Sequence, residues 1–172
     1  LRVMCRAVRF FSFFLYCASV IFLASCSEKV PYSERSVYTI YSDGLHKMKK
    51  ESYEQASEEF DQVEQQHPYS IWAAKAQIMS GYTLFLAKKY TRAVGVLENF
   101  VYLHPYHPLA GYAHYMIGLC YEQQVGRMDR DVPTSEKALS ALLVVETRYP
   151  GTLYAKDAHK RRVIMFERLA SY

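Results

Sequence analysis

Charge of one sign is what this sequence lacks. Its 172 residues include 21 Lys or Arg and 17 Asp or Glu, and three of the basic residues, Arg2, Arg6 and Arg9, fall in the first nine positions. Setting those three aside leaves 18 basic against 17 acidic residues. Nucleic acid as a partner needs clustered, unpaired cations, so that class is excluded. Glycine and proline are scarce, at seven and six residues. No run alternates apolar and polar residues between turn signals, so essentially no sheet is expected. There is no Gly-x-Ser-x-Gly elbow, no His-Glu-x-x-His, no phosphate-cradling Gly loop and no Ser-x-x-Lys, which argues against an enzyme and leaves no catalytic residue to name. Cysteine is sparse too. Of four, only Cys26 and Cys120 lie beyond residue 25, and acylation of the first leaves Cys120 alone, so no internal disulfide is possible. Cys120 sits in an apolar helical stretch and reads as a small buried hydrophobe.

What is present is apolar and aromatic. Hydrophobic residues make up 51% of the chain and aromatics 15%, sixteen of them Tyr, enough to bury the core of one ordinary domain. The first 25 residues read as a leader: three Arg and no acid, then an apolar run from Phe10 to Ala24. That is the build of a signal peptide and is short for a spanning helix, which needs roughly 20 apolar residues. The run ends in Leu23-Ala24-Ser25-Cys26, which resembles the bacterial lipobox. By that resemblance the Cys26 thiol takes a diacylglycerol and its amine an acyl chain. Ser27 rather than Asp follows, which implies sorting to the outer membrane, on its periplasmic face. Acyl chains contribute about 0.8 kcal/mol per buried methylene, so they hold a protein on a bilayer without a spanning segment. Residues 26–33 then form a lipidated linker, and 34–172 the folded domain.

A 37-residue repeat sets the architecture. Shifting the chain by 37 aligns Gly44, Gly81 and Gly118, and it pairs Tyr53 with Tyr90, Ala56 with Ala93, Phe60 with Leu97 and Val63 with Phe100. His67-Pro68-Tyr69 falls on His104-Pro105-Tyr106. A third copy with Ala138, Leu142, Val145 and Pro150 is displaced by eight extra residues between Gln123 and Ser135. Two Ala follow each Pro: Ala73 and Ala76, Ala110 and Ala113, Ala155 and Ala158. Small residues at that spacing share a helical face and let helices approach closely. Ser52 followed by Gln55 reads as a capping box for a helix whose buried stripe is Ala56, Phe60 and Val63. This pattern resembles the tetratricopeptide signature, slightly lengthened. The expected fold is all-α, a tetratricopeptide-repeat α-solenoid of about three helix pairs (37–70, 71–108, 109–151) with residues 152–172 as a capping helix.

Four segments carry a closer resemblance: Glu64-Gln-Gln-His-Pro-Tyr-Ser-Ile-Trp-Ala, Leu103-His-Pro-Tyr-His-Pro, Asp129-Arg130-Asp131 and Arg148-Tyr-Pro-Gly-Thr-Leu-Tyr-Ala-Lys-Asp-Ala. Together with the lipobox they resemble the BamD family, also called YfiO or ComL, the lipoproteins of the β-barrel assembly machinery. The resemblance implies a scaffold that binds unfolded outer-membrane proteins, a BamA-like barrel insertase and other machinery subunits, with outer-membrane lipid met through the anchor. It implies no cofactor beyond the lipid on Cys26. The family usually has about five repeats, whereas this chain stops after the first helix of a fourth. The family's contacts with the BamA periplasmic domains are largely placed in the remainder.

The register set by the three glycines puts Tyr38, Tyr41, Leu45 and Met48 on one face of the first helix of copy one. Ile78, Tyr82 and Phe85 follow in copy two, and Tyr112, Tyr115 and Leu119 in copy three. An aromatic groove is expected there, since Tyr gives large contact area with little rotamer loss and a polar tip; the competing expectation is that many of these side chains pack between helices. His67 and His104 end second helices just before Pro, where an imidazole can satisfy the last carbonyls. The loose group of His104, His107 and His114 lacks the partners of a zinc set, so no metal site is expected. Arg127, Asp129, Arg130 and Asp131 form a self-paired inserted loop or a docking site for a neighbouring subunit. Lys160, Arg161 and Arg162 read as a solvated face. Rival readings are a pilotin-type tetratricopeptide lipoprotein escorting a secretin, a peptidoglycan or cell-division adaptor, and a periplasmic hydrolase or metal protein using the His group. Cys26→Ser should abolish incorporation of labelled palmitate and mislocalise the precursor; a labelled Cys26→Ser protein would contradict the anchor.

Overall fold

The computed structural model describes residues 34–125 and 132–170. Among them are seven helices and no strand: α1 (Val37–Lys49), α2 (Tyr53–Gln66), α3 (Ala73–Leu86), α4 (Tyr90–Leu103), α5 (Ala110–Val125), α6 (Val132–Arg148) and α7 (Leu153–Ala170). Consecutive helices pack on one another, and those joined by described residues connect through short turns and so run antiparallel. Helices α1, α3, α5 and α7 are the first helices of successive copies, and α3 and α7 both also touch α5. The fold is a tetratricopeptide-type α-solenoid of three helix pairs followed by one further helix.

The glycine register explains how each pair closes. A methyl group built on Gly44 would lie 2.7 Å from the ring of Phe60, one on Gly81 2.6 Å from Leu97, and one on Gly118 2.7 Å from Leu142. The first helix thus offers bare backbone where the second offers its largest apolar side chain, and Phe60, Leu97 and Leu142 are all fully buried. Burying each contributes about 1.5–3 kcal/mol. The paired alanines close the other side: Ala76, Ala110, Ala113 and Ala158 are fully buried and Ala73 and Ala155 nearly so, which brings each second helix against the next first helix. Cys120 is buried among them, and burial pushes its thiol up to about 12, so it is not a thiolate near neutral pH.

Two kinds of turn alternate. Between α1 and α2, Ser52 N–H donates to the Lys47 carbonyl and Glu51 N–H to that of Met48; between α3 and α4, Lys89 donates to Leu84 and Lys88 to Phe85. These are Schellman closures, with Glu51 and Lys88 both at φ 60°, where Gly is usual. The capping box expected at Ser52 does not form. Ser52 holds the N-cap position without a side-chain bond, because the closure fixes its backbone at ψ 62°, nearly that of its counterpart Lys89 (ψ 56°), which has no hydroxyl.

The turns at the opposite ends are built on His-Pro-Tyr. Ser70 N–H donates to the His67 carbonyl and His107 N–H to that of His104, with Pro at the second position of each turn. Ser70 Oγ then accepts from Trp72 N–H, and His107 Nδ1, at the same repeat position, from Leu109 N–H. The third such turn uses Gly151 at φ +83°, and Thr152 Oγ1 caps α7 by accepting from Ala155 N–H. His67 and His104 occupy the expected C-cap positions, but their rings do other work. His67 Nε2 donates to the Arg35 carbonyl at 2.6 Å, and the His104 ring packs on Phe100 with centroids 5.3 Å apart. Arg35 is further tied to α2 through Glu59, Gln62 and Gln66. Burial would raise the Glu59 carboxyl, but hydrogen bonds from Lys47 and Arg35 outweigh it and hold the group below its ordinary value.

Gly81→Ala should destabilise the domain by about 1–3 kcal/mol through overpacking against Leu97. Gly95→Ala, in a helix interior with nothing within 4 Å of the added methyl, should stabilise it by about 0.5–1 kcal/mol. Paired urea melts check both signs; equal shifts would refute the register.

Candidate functional site

The face shared by α1, α3, α5 and α7 holds the aromatic residues singled out from sequence, but at two depths. Tyr41 and Ile78 are buried, at 7% and 4% exposure: Ile78 belongs to the core, whereas Tyr41 is both core and the floor of a pocket. Tyr41 packs edge-on against Phe60 and tilts on Trp72, with centroids 5.3 and 5.0 Å away; Ile78 sits in the cluster around Leu97 and Phe100. The correction has a simple cause. Ile78 is on α3, which touches its own second helix and the preceding one, so its buried arc is wider than a single amphipathic stripe; Tyr41 is on α1, which packs on α2, and the Trp72 ring covers its other side. Met48, Tyr82, Phe85, Tyr112, Tyr115 and Leu119 are half-buried against the core, and Tyr38 and Leu45 are exposed.

Around Tyr38 the exposed and buried layers meet in a pocket of about 270 Å³ lined by Tyr38, Tyr41, Ser42 and Leu45 of α1, by Trp72 just before α3 and by Lys75 of α3. The Lys75 ammonium lies 5.3 Å from the Trp72 ring centroid and 5.6 Å from that of Tyr41, a cation resting on two π faces. Sequence reasoning missed Trp72 and Lys75. The available signal was a lone Trp three residues before a Lys, at the start of a helix whose first turn is otherwise Ala. Such a pocket takes an apolar or aromatic side chain, and its rim supplies one positive charge.

Farther along, aromatic rings continue the same face. Tyr112 and Tyr115 stand 5.4 and 5.6 Å from Tyr154 at the start of α7. Burial, with Tyr82, Tyr154 and Tyr115 adding to it, pushes the Tyr112 hydroxyl up to about 12, so it stays a neutral donor at physiological pH. Tyr115 Oη donates to Asp157 at 2.5 Å, and Arg161 reaches both Asp157 and Glu122. Arg162 holds Glu146 with two nitrogens. The expectation of a solvated Lys160-Arg161-Arg162 face is therefore corrected: Lys160 is exposed, but Arg161 pins α7 to α5 and Arg162 pins it to α6.

The histidines are spent on packing. His104 packs tilted and His107 edge-on against Phe100, and half-buried His114 lies beside Tyr149, held below its ordinary value by burial and by Arg148. Among the described residues no group of three His, Cys, Asp or Glu is placed to hold a metal, and no helix is long and apolar enough to cross a membrane. Cys26 and the loop residues Arg127, Asp129, Arg130 and Asp131 lie outside the described residues.

Residues 33–172 match the family model described as YfiO, outer membrane lipoprotein. The chain is 37% identical over 158 residues to outer membrane protein assembly factor BamD of Caulobacter vibrioides, covering 91% of this chain and 52% of that protein. It is 30% identical over 150 residues to the BamD of Rickettsia prowazekii, covering 86% and 60%. The chain thus spans about half the length of the curated relatives it matches. Among solved structures it is similar to MamA from Desulfovibrio magneticus RS-1, with a TM-score of 0.54, 24% identity and 79% and 75% coverage. The CopN-Scc3 complex gives the same TM-score at 15% identity, with 85% and 82% coverage. Both likenesses concern the fold.

Arg161→Met leaves Asp157 and Glu122 without their shared cation and should lower the protection of α7 amides by about 1–3 kcal/mol, read by hydrogen exchange, with α1 to α4 unchanged. Uniform protection across the two proteins would show the network to be inert.

Proposed function

The chain belongs to the YfiO family of outer membrane lipoproteins, and from that premise we propose that it is a non-catalytic scaffold of outer-membrane β-barrel assembly, holding unfolded clients along the face of its first helices. The relatives named as outer membrane protein assembly factors support the process. The observation that carries client binding is the pocket between α1 and α3, where exposed Tyr38 and Leu45, the Trp72 ring and the Lys75 ammonium converge. Clients of this class alternate apolar and polar residues, because one face of each strand meets lipid and the other the lumen. A row of half-buried tyrosines suits such a chain: the ring bodies cover its apolar side chains and the hydroxyls reach its backbone. An extended segment entering at the pocket places an aromatic side chain against Trp72 and a carboxylate at Lys75, then runs over Tyr82 and Tyr112 toward Tyr154.

In this reading the acylated Cys26 tethers the scaffold to the periplasmic face of the outer membrane. A BamA-like insertase and the other machinery subunits are its protein partners. No step of bond chemistry is assigned to it; the rigid stack contributes orientation, and the pocket contributes retention of a client that would otherwise aggregate. Trp72, the single tryptophan of the chain, reports occupancy through its emission. A synthetic peptide copying the last strand of an outer-membrane barrel should shift that emission saturably. Tyr38→Ala combined with Lys75→Glu should weaken the affinity by about tenfold, the scale of about 1.4 kcal/mol lost from one aromatic contact and one charge. Titration curves that superimpose for the two proteins would refute the pocket as the client seat.

A further inference from the structure

The two edges of the solenoid differ in chemistry. On one edge the turn after α1 carries Lys49, Lys50 and Glu51, and the turn after α3 carries Lys88 and Lys89, all exposed. The other edge is made of the three turns after α2, α4 and α6, residues 67–72, 104–109 and 149–152, and none contains Lys, Arg, Asp or Glu. Its tips are apolar and stand clear of the fold. Tyr69 and Tyr106 are 101% and 98% exposed, and Ile71, Tyr102 and Leu153 are each at least 80% exposed. These are fixed projections, since each His-Pro-Tyr turn is closed by its own hydrogen bonds, Ser70 to His67 and His107 to His104. Each Tyr follows its Pro in the turn, so the repeat places two phenol rings 37 residues apart on the same edge.

We propose that this edge, whose three turns carry no charge, rests on the interfacial zone of a lipid bilayer. Tyr is enriched where an apolar ring must sit beside acyl chains while its hydroxyl stays among head groups, and Ile and Leu tips add area without requiring a partner of matching shape. A protein partner of comparable affinity needs one contiguous, closely packed patch, whereas here the tips are separated by the repeat. A bilayer tolerates that separation because it is a plane and a fluid. The charged edge faces water under this arrangement. The family's description as outer membrane lipoproteins puts a bilayer within reach, and the exposed tips of this seat are distinct from the client pocket, which borders it at Trp72. Insertion of the tips would fix the tilt of the stack over the membrane, where a tether alone leaves it free to swing.

Trp72 borders this edge beside Ile71 and tests the proposal in the full chain. Reconstituted in phosphatidylcholine vesicles, its emission should be quenched by lipid brominated near the head groups, and equally at low and high salt, since no charge is involved. In the Tyr69→Glu, Tyr106→Glu variant, both at exposed positions, quenching should fall by on the order of tenfold, because carboxylates are disfavoured in the interface. A second reporter on the charged edge, Lys50→Trp in a Trp72→Phe background, should stay unquenched. Quenching that vanishes with salt, or that is equal from both edges, overturns the proposal. So does a silent Trp72 whose edge, carrying a photocrosslinker at position 69 or 106 in cells, captures a protein instead of lipid.

Discussion

Close approach between a bare backbone and a bulky apolar side chain is the contact on which the rest depends. At Gly44, Gly81 and Gly118 the first helix has no Cβ, and Phe60, Leu97 and Leu142 occupy that space with full burial. The contact fixes both the separation and the rotation of each helix pair. Rotation then decides which residues look outward, so the depth of Tyr41 and the exposure of Tyr38, three residues apart on one helix, are both consequences of where Gly44 meets Phe60. Dispersion and area burial at this density are sensitive to a single methyl group. Helix propensity alone could not specify such a register, because a lone helix of 13 or 14 residues is marginal in water.

The last helix departs from that rule. By repeat position Val163 stands on α7 where the three glycines stand on α1, α3 and α5, and Val163, Ile164 and Phe166 are exposed. Its attachment therefore relies less on apolar closure and more on charge. Arg161 joins Asp157 and Glu122, Arg162 joins Glu146, and Tyr115 donates to Asp157. Hydrogen bonds between charged groups of this kind are worth more than neutral ones but keep a desolvation cost. The Tyr115 bond also ties α7 to the aromatic face, so one residue serves both the seat of the helix and the row of rings.

Much of the architecture was legible in the chain because a repeat prints each contact several times. The 37-residue shift brought Gly44, Gly81 and Gly118 into one column and Phe60 and Leu97 into another, with Leu142 in the displaced third copy; the structure joins the two columns. The site was legible only in outline. Tyr41 and Ile78 were expected on the groove and are buried: Ile78 because α3 lies between two neighbours, which a single stripe does not encode, and Tyr41 because Trp72 covers it at the floor of the pocket. The same blindness applied to Arg161 and Arg162, whose partners Glu122 and Glu146 lie in other helices, 39 and 16 residues away in sequence. Ser52 shows the opposite error: a local signature was present, and the preceding Schellman closure overrode it.

The His-Pro-Tyr turns show how one short motif serves several roles. Proline ends the second helix by withholding a donor, and the imidazole before it is free to reach outside its own helix. At His67 that reach fastens Arg35 and so fixes the entry to α1; at His104 it packs on Phe100 inside the second cluster. Tyrosine, the third residue, is left at the turn's apex with its side chain in solvent. A purely structural turn would carry a small polar residue there, since an exposed ring contributes nothing to the stack. That a ring stands there in two successive copies, on an edge whose turns carry no charged residue, is a cost to solubility that folding does not explain and that contact with an apolar phase does.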